Sequence, residues 1–365
     1  LLTAFFIMKI GSGNYVEAVT QSTFAAFIGM LASMAVLAFY LWKTGMLTSI
    51  LHKPVNATEI NGRALLWDTI REAIPFIITG SAIQLFQIID QATFIHVMGW
   101  ISKYSRSELL VQFAYFSANP NKVTMILIAV ATSIGGVGIP LLTENYVKGD
   151  FRSAARLVQD NLSMLIFFIL PATIGAVLVA EPLYTVFYGK PDSLALGLFI
   201  FAMLQTIILS LYTVLAPIIQ ALFQNRKAII YFLYGVAVKL VLQVPLIYIF
   251  KAYGPLLATT VGLIIPILLM YQEIRKVTGL NPKNLFKRSL LSVILTVLMT
   301  IFVLVAELLI GLFFHPSGRI SSFVYIALIG SIGLAVYGGL ALKVRLMDRF
   351  IGSKAASLRR RFHIY

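Results

Sequence analysis

Nine times between residues 16 and 342 the chain runs apolar for about the length that crosses a bilayer, and this recurrence limits the fold more than any motif does. A helix needs about 20 residues, at about 1.5 Å rise each, to span about 30 Å of hydrocarbon. The runs cover 16–42, 72–100, 119–142, 154–178, 194–223, 228–250, 254–271, 290–314 and 321–342. Hydrophobic residues are 59% of the 365 and charged residues only 12%, with a mean hydropathy of +0.90, values that soluble domains do not reach. Barrel strands would alternate polar and apolar over about ten residues, which these blocks do not do. The expected class is an all-α polytopic membrane protein with nine complete transmembrane helices. Residues 1–10, LLTAFFIMKI, read as the end of a further helix, a stub without an initiator Met or a signal-peptide pattern.

The segments between the runs carry the charge. A polar, basic connection is expected over 44–71, in which GRALLWDTIREA suits an amphipathic interfacial helix, and a loop over Gly99 to Ser117. EPLYTVFYGK reads as an interfacial segment, and the close of the chain from 345 to 365 as a basic amphipathic tail. With sides alternating from helix to helix, the connections 43–71, 148–156, 226–227 and 275–288 and the tail from Lys343 hold 21 of the 29 Lys and Arg. The opposite side holds Lys9, Lys103, Arg106, Lys122, Lys190, Lys251 and Arg319. The positive-inside rule makes the first set, and hence the C-terminus, cytoplasmic in a multi-pass cell-membrane protein. The net charge of +15 therefore reports topology, and no nucleic-acid partner is expected.

No enzyme signature is present: the chain lacks a phosphate-binding G-x-x-x-x-G-K-[ST] loop, H-E-x-x-H and G-x-S-x-G. Its four histidines are scattered and it has no cysteine, so the chain is read as a non-enzyme without metal or cofactor.

Within the second run, Gln84, Gln87 and Gln91 recur at i, i+3 and i+7 on one helical face, and Asp90 sits beside them. An Asp at the centre of a membrane helix costs about 2.5 to 3.5 kcal/mol, so it needs a partner or a wet cavity. Lys239 is the other ionisable residue deep in a run. Counted from the ends of their helices, Asp90 and Lys239 lie within about 4 to 5 Å of each other in depth, which a Lys side chain can bridge. Such a pair either locks two helices together or breaks and re-forms during a cycle, and the sequence allows both. The glutamines either glue helices by amide hydrogen bonds or line a cavity. Lys122 is either a snorkelling end residue or, with Asn121, part of a polar pathway, to which Gln243 is also assigned. Gly135, Gly136 and Pro140 predict a bend or a close helix crossing.

The stretches GSAIQLFQIIDQATF, GGVGIPLLTENYVKGDFRSAARLVQDNL, AEPLYTVFYG and QNRKA, in this order, resemble the Gram-positive branch of the MurJ-type lipid II flippases. These stand beside sporulation and polysaccharide-export proteins in the multidrug/oligosaccharidyl-lipid/polysaccharide exporter superfamily. The resemblance implies a fourteen-helix fold of two six-helix lobes and two extra C-terminal helices, of which this chain holds the end of helix 5 through helix 14. The implied division is 1–43 for the end of the first lobe, 44–71 for the linker, 72–274 for the second lobe, 275–344 for the two extra helices and 345–365 for the tail. It implies flipping of an undecaprenyl-pyrophosphate-linked glycan, lipid II above all, by alternating access, with a cationic cavity for the pyrophosphate and a groove near the last two helices for the lipid tail. Another lipid-linked polysaccharide, a multidrug substrate, or a non-transport scaffold role among cell-wall synthesis proteins are the alternatives. By resemblance Lys122 falls where a basic residue opens helix 8. Some similar proteins bind sodium through carboxylates on helices 7 and 11. Asp90 matches the first, but Lys239 stands near the second, and an ammonium there displaces a bound cation.

Overall fold

A computed structural model describes residues 15–46 and 62–348, together with 352, 357, 359 and 360. The expected stub at 1–10, most of the linker and most of the basic tail lie outside the described residues. Thirteen α-helices run through the described residues: α1 (Tyr15–Lys43), α2 (Gly62–Gly80), α3 (Ala82–Ile101), α4 (Arg106–Phe116), α5 (Ala118–Val137), α6 (Ile139–Val147), α7 (Phe151–Leu178), α8 (Ala180–Tyr188), α9 (Ser193–Ala221), α10 (Asn225–Phe250), α11 (Gly254–Thr278), α12 (Pro282–Gly311) and α13 (Arg319–Lys343). No strand occurs among the described residues, and seven or more helical stretches are long and apolar enough to cross a membrane. This is an all-α polytopic membrane protein.

The chain forms two compact units, residues 1–69 and 70–365. In the first, α1 is a single 29-residue apolar helix. In the second, α9 is the central post. Its faces pack on α5, α7 and α11, and Leu198, Phe199, Met203, Val214, Ile218 and Ile219 are fully enclosed. Lipid chains are as apolar as Leu, so burial of apolar surface does not by itself drive such helices together; close backbone approach and hydrogen bonds do. The α10–α11 pair shows the first. A Cβ added at Gly235 would run into the carbonyl oxygen of Gly262 and the ring of Pro266, and one at Gly262 would stand 3.1 Å from Cβ of Lys239. Residue 235 thus faces 262 and 266 while 247 faces 254, so α10 and α11 form a tight antiparallel hairpin.

Two expectations need correction. The run 72–100 is not one straight helix: α2 and α3 meet at Gly80–Ser81 with a bend of 56°. GRALLWDTIREA is helical as expected, and it continues unbroken to Gly80 as the first turns of α2. The loop expected over 99–117 contains α4, opened by a capping box in which Ser105 and Glu108 satisfy each other's backbone N–H. A polar start masked that helix in the hydropathy pattern. The bend itself is secured from α9. Tyr212 Oη donates to the Thr79 carbonyl at 3.1 Å, and Gln220 Nε2 donates to the Pro75 carbonyl at 3.2 Å and to Thr79 Oγ1.

Candidate functional site

Asp90 lies on the face of α3 formed by Ala82, Phe86, Phe94 and Val97, which is turned into the protein. Opposite it, the α10–α11 hairpin supplies three polar side chains one helical turn apart or across the seam. Lys239 is fully buried, and its Nζ donates to Asp90 Oδ1 at 2.8 Å and to Thr259 Oγ1 on α11. The same ammonium stands 4.9 Å from the centre of the Phe86 ring, a cation–π contact. Gln243, one turn beyond Lys239, donates to Asp90 Oδ1 at 2.8 Å and to Thr93 Oγ1 at 3.0 Å. Its own Oε1 is buried without a partner among the described residues.

Removing two ions from water is costly, and the arrangement offsets this by giving the carboxylate two donors and the ammonium two acceptors and an aromatic face. The formal charge of the cluster is zero. Its members sit on three helices, so the cluster ties α3 to both arms of the hairpin.

Asp90 also lines a cleft of about 520 Å³, counted to its open mouth, with Gln87, Asn121, Thr124, Gln205 and Thr259. Gln205 is held by the Leu256 carbonyl at 2.7 Å and Thr260 Oγ1 at 2.9 Å, and Thr124 and Thr206 meet at 3.2 Å. The structure thus brings Asp90, Lys239 and Gln243 into contact and sets Gln87 and Asn121 beside them. It does not bring in Gln84 and Gln91, which are exposed on α3 and have no hydrogen-bond partner among the described residues. The reason is angular: Gln87 borders the face of Asp90, whereas Gln84 and Gln91 are turned about 100° or more away from it around the helix. Lys122 does not line this cleft. Its ammonium lies over the rings of Tyr188, at 4.7 Å, and Phe187, at 5.7 Å, on α8.

Gly135 crosses α9 closely, a Cβ there meeting Val214 Cγ2 at 3.2 Å, while Gly136 faces open space. The helix breaks at Gly138, between α5 and α6, and Pro140 occupies the first turn of α6, where its missing N–H is not needed. A Cβ at Gly138 would stand 2.7 Å from Asn161 Nδ2, so the join is as crowded as the crossing. Thr259, Thr93 and Gln205 were not singled out from sequence. Thr in an apolar helix commonly bonds back to its own backbone, as Thr93 does to Ile89, and carries no signal by itself.

A second concavity lies between α7, α8, α12 and α13. It is a groove of about 1140 Å³, counted to its open side, lined by Phe167, Phe168, Pro171, Met299, Ile326 and Tyr337, with Gly330 and Gly333.

Comparison with known proteins decides what this fold belongs to. Residues 3–328 match the family model described as lipid II flippase MurJ. The chain belongs to that family. It is also 29% identical, over 97% of its own residues, to the protein named lipid II flippase MurJ of Bacillus subtilis (strain 168). The match spans 66% of that relative's length, just under two thirds of it.

Proposed function

We propose that this chain is part of a transporter that moves an undecaprenyl-pyrophosphate-linked glycan, lipid II in first place, from the cytoplasmic to the outer leaflet by alternating access. The observation that carries the reading is the groove between α7, α8, α12 and α13, an open concavity with an almost wholly apolar lining. A polyprenyl tail fits such a surface, whereas a small cationic drug would need carboxylates and aromatic rings around a compact pocket. The Asp90–Lys239 cluster then serves as a conformational element between α3 and the hairpin rather than as a substrate contact, since its charges already satisfy each other. We assign residues 72–274 to one lobe and 275–344 to two further helices that carry the groove. The Lys/Arg-rich connections, and the C-terminus with them, are placed on the cytoplasmic side. No reaction chemistry is assigned, because the proposed activity is movement of an intact substrate.

The test is flipping of fluorescent lipid II by the full-length protein in liposomes, with Gly330→Leu to fill the groove from its lining, at a position where an added Cβ meets no other atom within 4 Å. Folding should be unaffected and flipping should fall. Full flipping by the variant removes the groove from the mechanism, and export of a cationic dye with no lipid II movement favours the multidrug alternative.

A further inference from the structure

On another part of the second unit, away from the cluster and the groove, three arginines converge on one pocket. Arg152 and Arg156 are four residues apart near the start of α7 and project from the same side of it. Arg288 faces them from α12. The remaining wall includes the end of α11 and the turn after it, Thr278, Gly279 and Asn281, with Asn284 in the first turn of α12 and Gln159 on α7. This turn is held in place by local chemistry. Gly279 adopts a left-handed φ of 69° that closes α11 by its N–H to the Arg275 carbonyl, and Asn281 caps α12 through the N–H of Lys283. Gln159, 7% exposed, donates to the Asn281 carbonyl at 3.3 Å and pins the turn to α7.

No carboxylate lines the pocket. Two acids beside the arginines in the chain or in contact are already engaged: Asp160 takes one arm of Arg288, and Asp150 accepts from Ser153 N at 3.0 Å as the cap of α7. Arg152 gives Asp150 its backbone N–H and the influence of its charge, but neither its guanidinium nor that of Arg156 forms a salt bridge among the described residues, and Arg288 has donors left beyond the one that Asp160 takes. Three guanidinium groups with the amides of Gln159, Asn281 and Asn284 surround a space of about 860 Å³, a lining rich in donors and without a negative charge. Like charges brought together at a helix junction repel unless an anion joins them. The planar fork of Arg matches two oxygens of a phosphate, and the site lies where α7 and α12, two helices long and apolar enough to cross a membrane, begin and α11 ends.

We propose that this pocket binds a phosphate anion, carried by an anionic phospholipid headgroup. The inference does not rest on the transport reading, because its assay measures lipid retention and not flipping. The full-length protein is released from nanodiscs containing phosphatidylglycerol and phosphatidylcholine in equal amounts, and native mass spectrometry reads the ratio of the two lipids retained. Wild type is expected to retain phosphatidylglycerol preferentially. At about five-fold per basic residue, Arg152→Gln with Arg156→Gln should lower the excess by about twenty-five-fold. Arg288→Lys keeps the charge opposite Asp160 but loses the fork, and should give a partial loss. Removing two charges elsewhere, Lys103→Gln with Lys251→Gln, should change nothing. Displacement of phosphatidylglycerol by millimolar inorganic phosphate would make the natural occupant free phosphate and leave the anion site intact. The proposal is overturned if wild type shows no preference, if the arginine double variant keeps it, or if the lysine control loses it equally.

Discussion

Lys239 and Asp90 meet at 2.8 Å although 149 residues separate them, and the ammonium is wholly enclosed when they do. Removing one partner leaves an uncompensated charge among apolar helices, for which losses of about 3–5 kcal/mol are usual. Asp90→Asn and Lys239→Gln should therefore each lower thermal stability strongly. The double variant should regain most of it, since two amides can still hydrogen-bond to each other and to Thr259 and Gln243. Flipping scored on the same variants separates a lock from a working part: recovered folding without recovered transport assigns the pair to the cycle. Additive stability losses would show that the two residues do not interact.

Gly235→Ala should destabilise the hairpin by at least about 1–3 kcal/mol, because its Cβ would be driven into the backbone carbonyl of Gly262 and the ring of Pro266. Gly136→Ala meets no atom within 4 Å and should stay within about 1 kcal/mol of wild type. Detergent unfolding curves of the two variants compare them directly. Equal behaviour would mean that the hairpin is not closely packed at this crossing.

The bend at Gly80–Ser81 should depend on α9. Tyr212→Phe removes the donor to the Thr79 carbonyl, and Gln220→Leu removes the donors to Pro75 and Thr79. Each lost interhelical bond should cost about 0.5–2 kcal/mol, with Gln220→Leu the more damaging because it makes two bonds. Spin labels placed on α2 and α3 would report whether the 56° angle relaxes.

Much of this was legible in the chain because membranes impose hard rules. Length of apolar run and placement of Lys and Arg mark where helices lie, and the depths of Asp90 and Lys239 along their helices mark two charges that can reach each other. What the sequence hid has physical reasons too. The break after Gly80 leaves hydropathy unchanged, and it is secured by Tyr212 and Gln220, more than 130 residues away, which look like ordinary members of an apolar helix. Thr259 was invisible for the same reason. Lys122 could be placed near a helix end from sequence, yet nothing local says that it turns to the rings of Phe187 and Tyr188.

Topology offers a further check. Residues 1–365 contain no cysteine, so Ser153→Cys and Ser357→Cys give clean reporters. Both should resist an impermeant thiol reagent in intact cells, and Ser317→Cys on the opposite side should react. Labelling of Ser153→Cys would reverse the assignment of sides.

The tight seam between α10 and α11 has a consequence for how the charge cluster can let go. Gly235, Gly262 and Pro266 leave the two arms no room to slide past each other, so Lys239, Gln243 and Thr259 travel as one body. On the proposed transport reading, a movement of α3 off the hairpin takes Asp90 from all of them in one step. On that reading such a release is all-or-none, and its sharpness traces to a contact between two glycines that carry no charge at all.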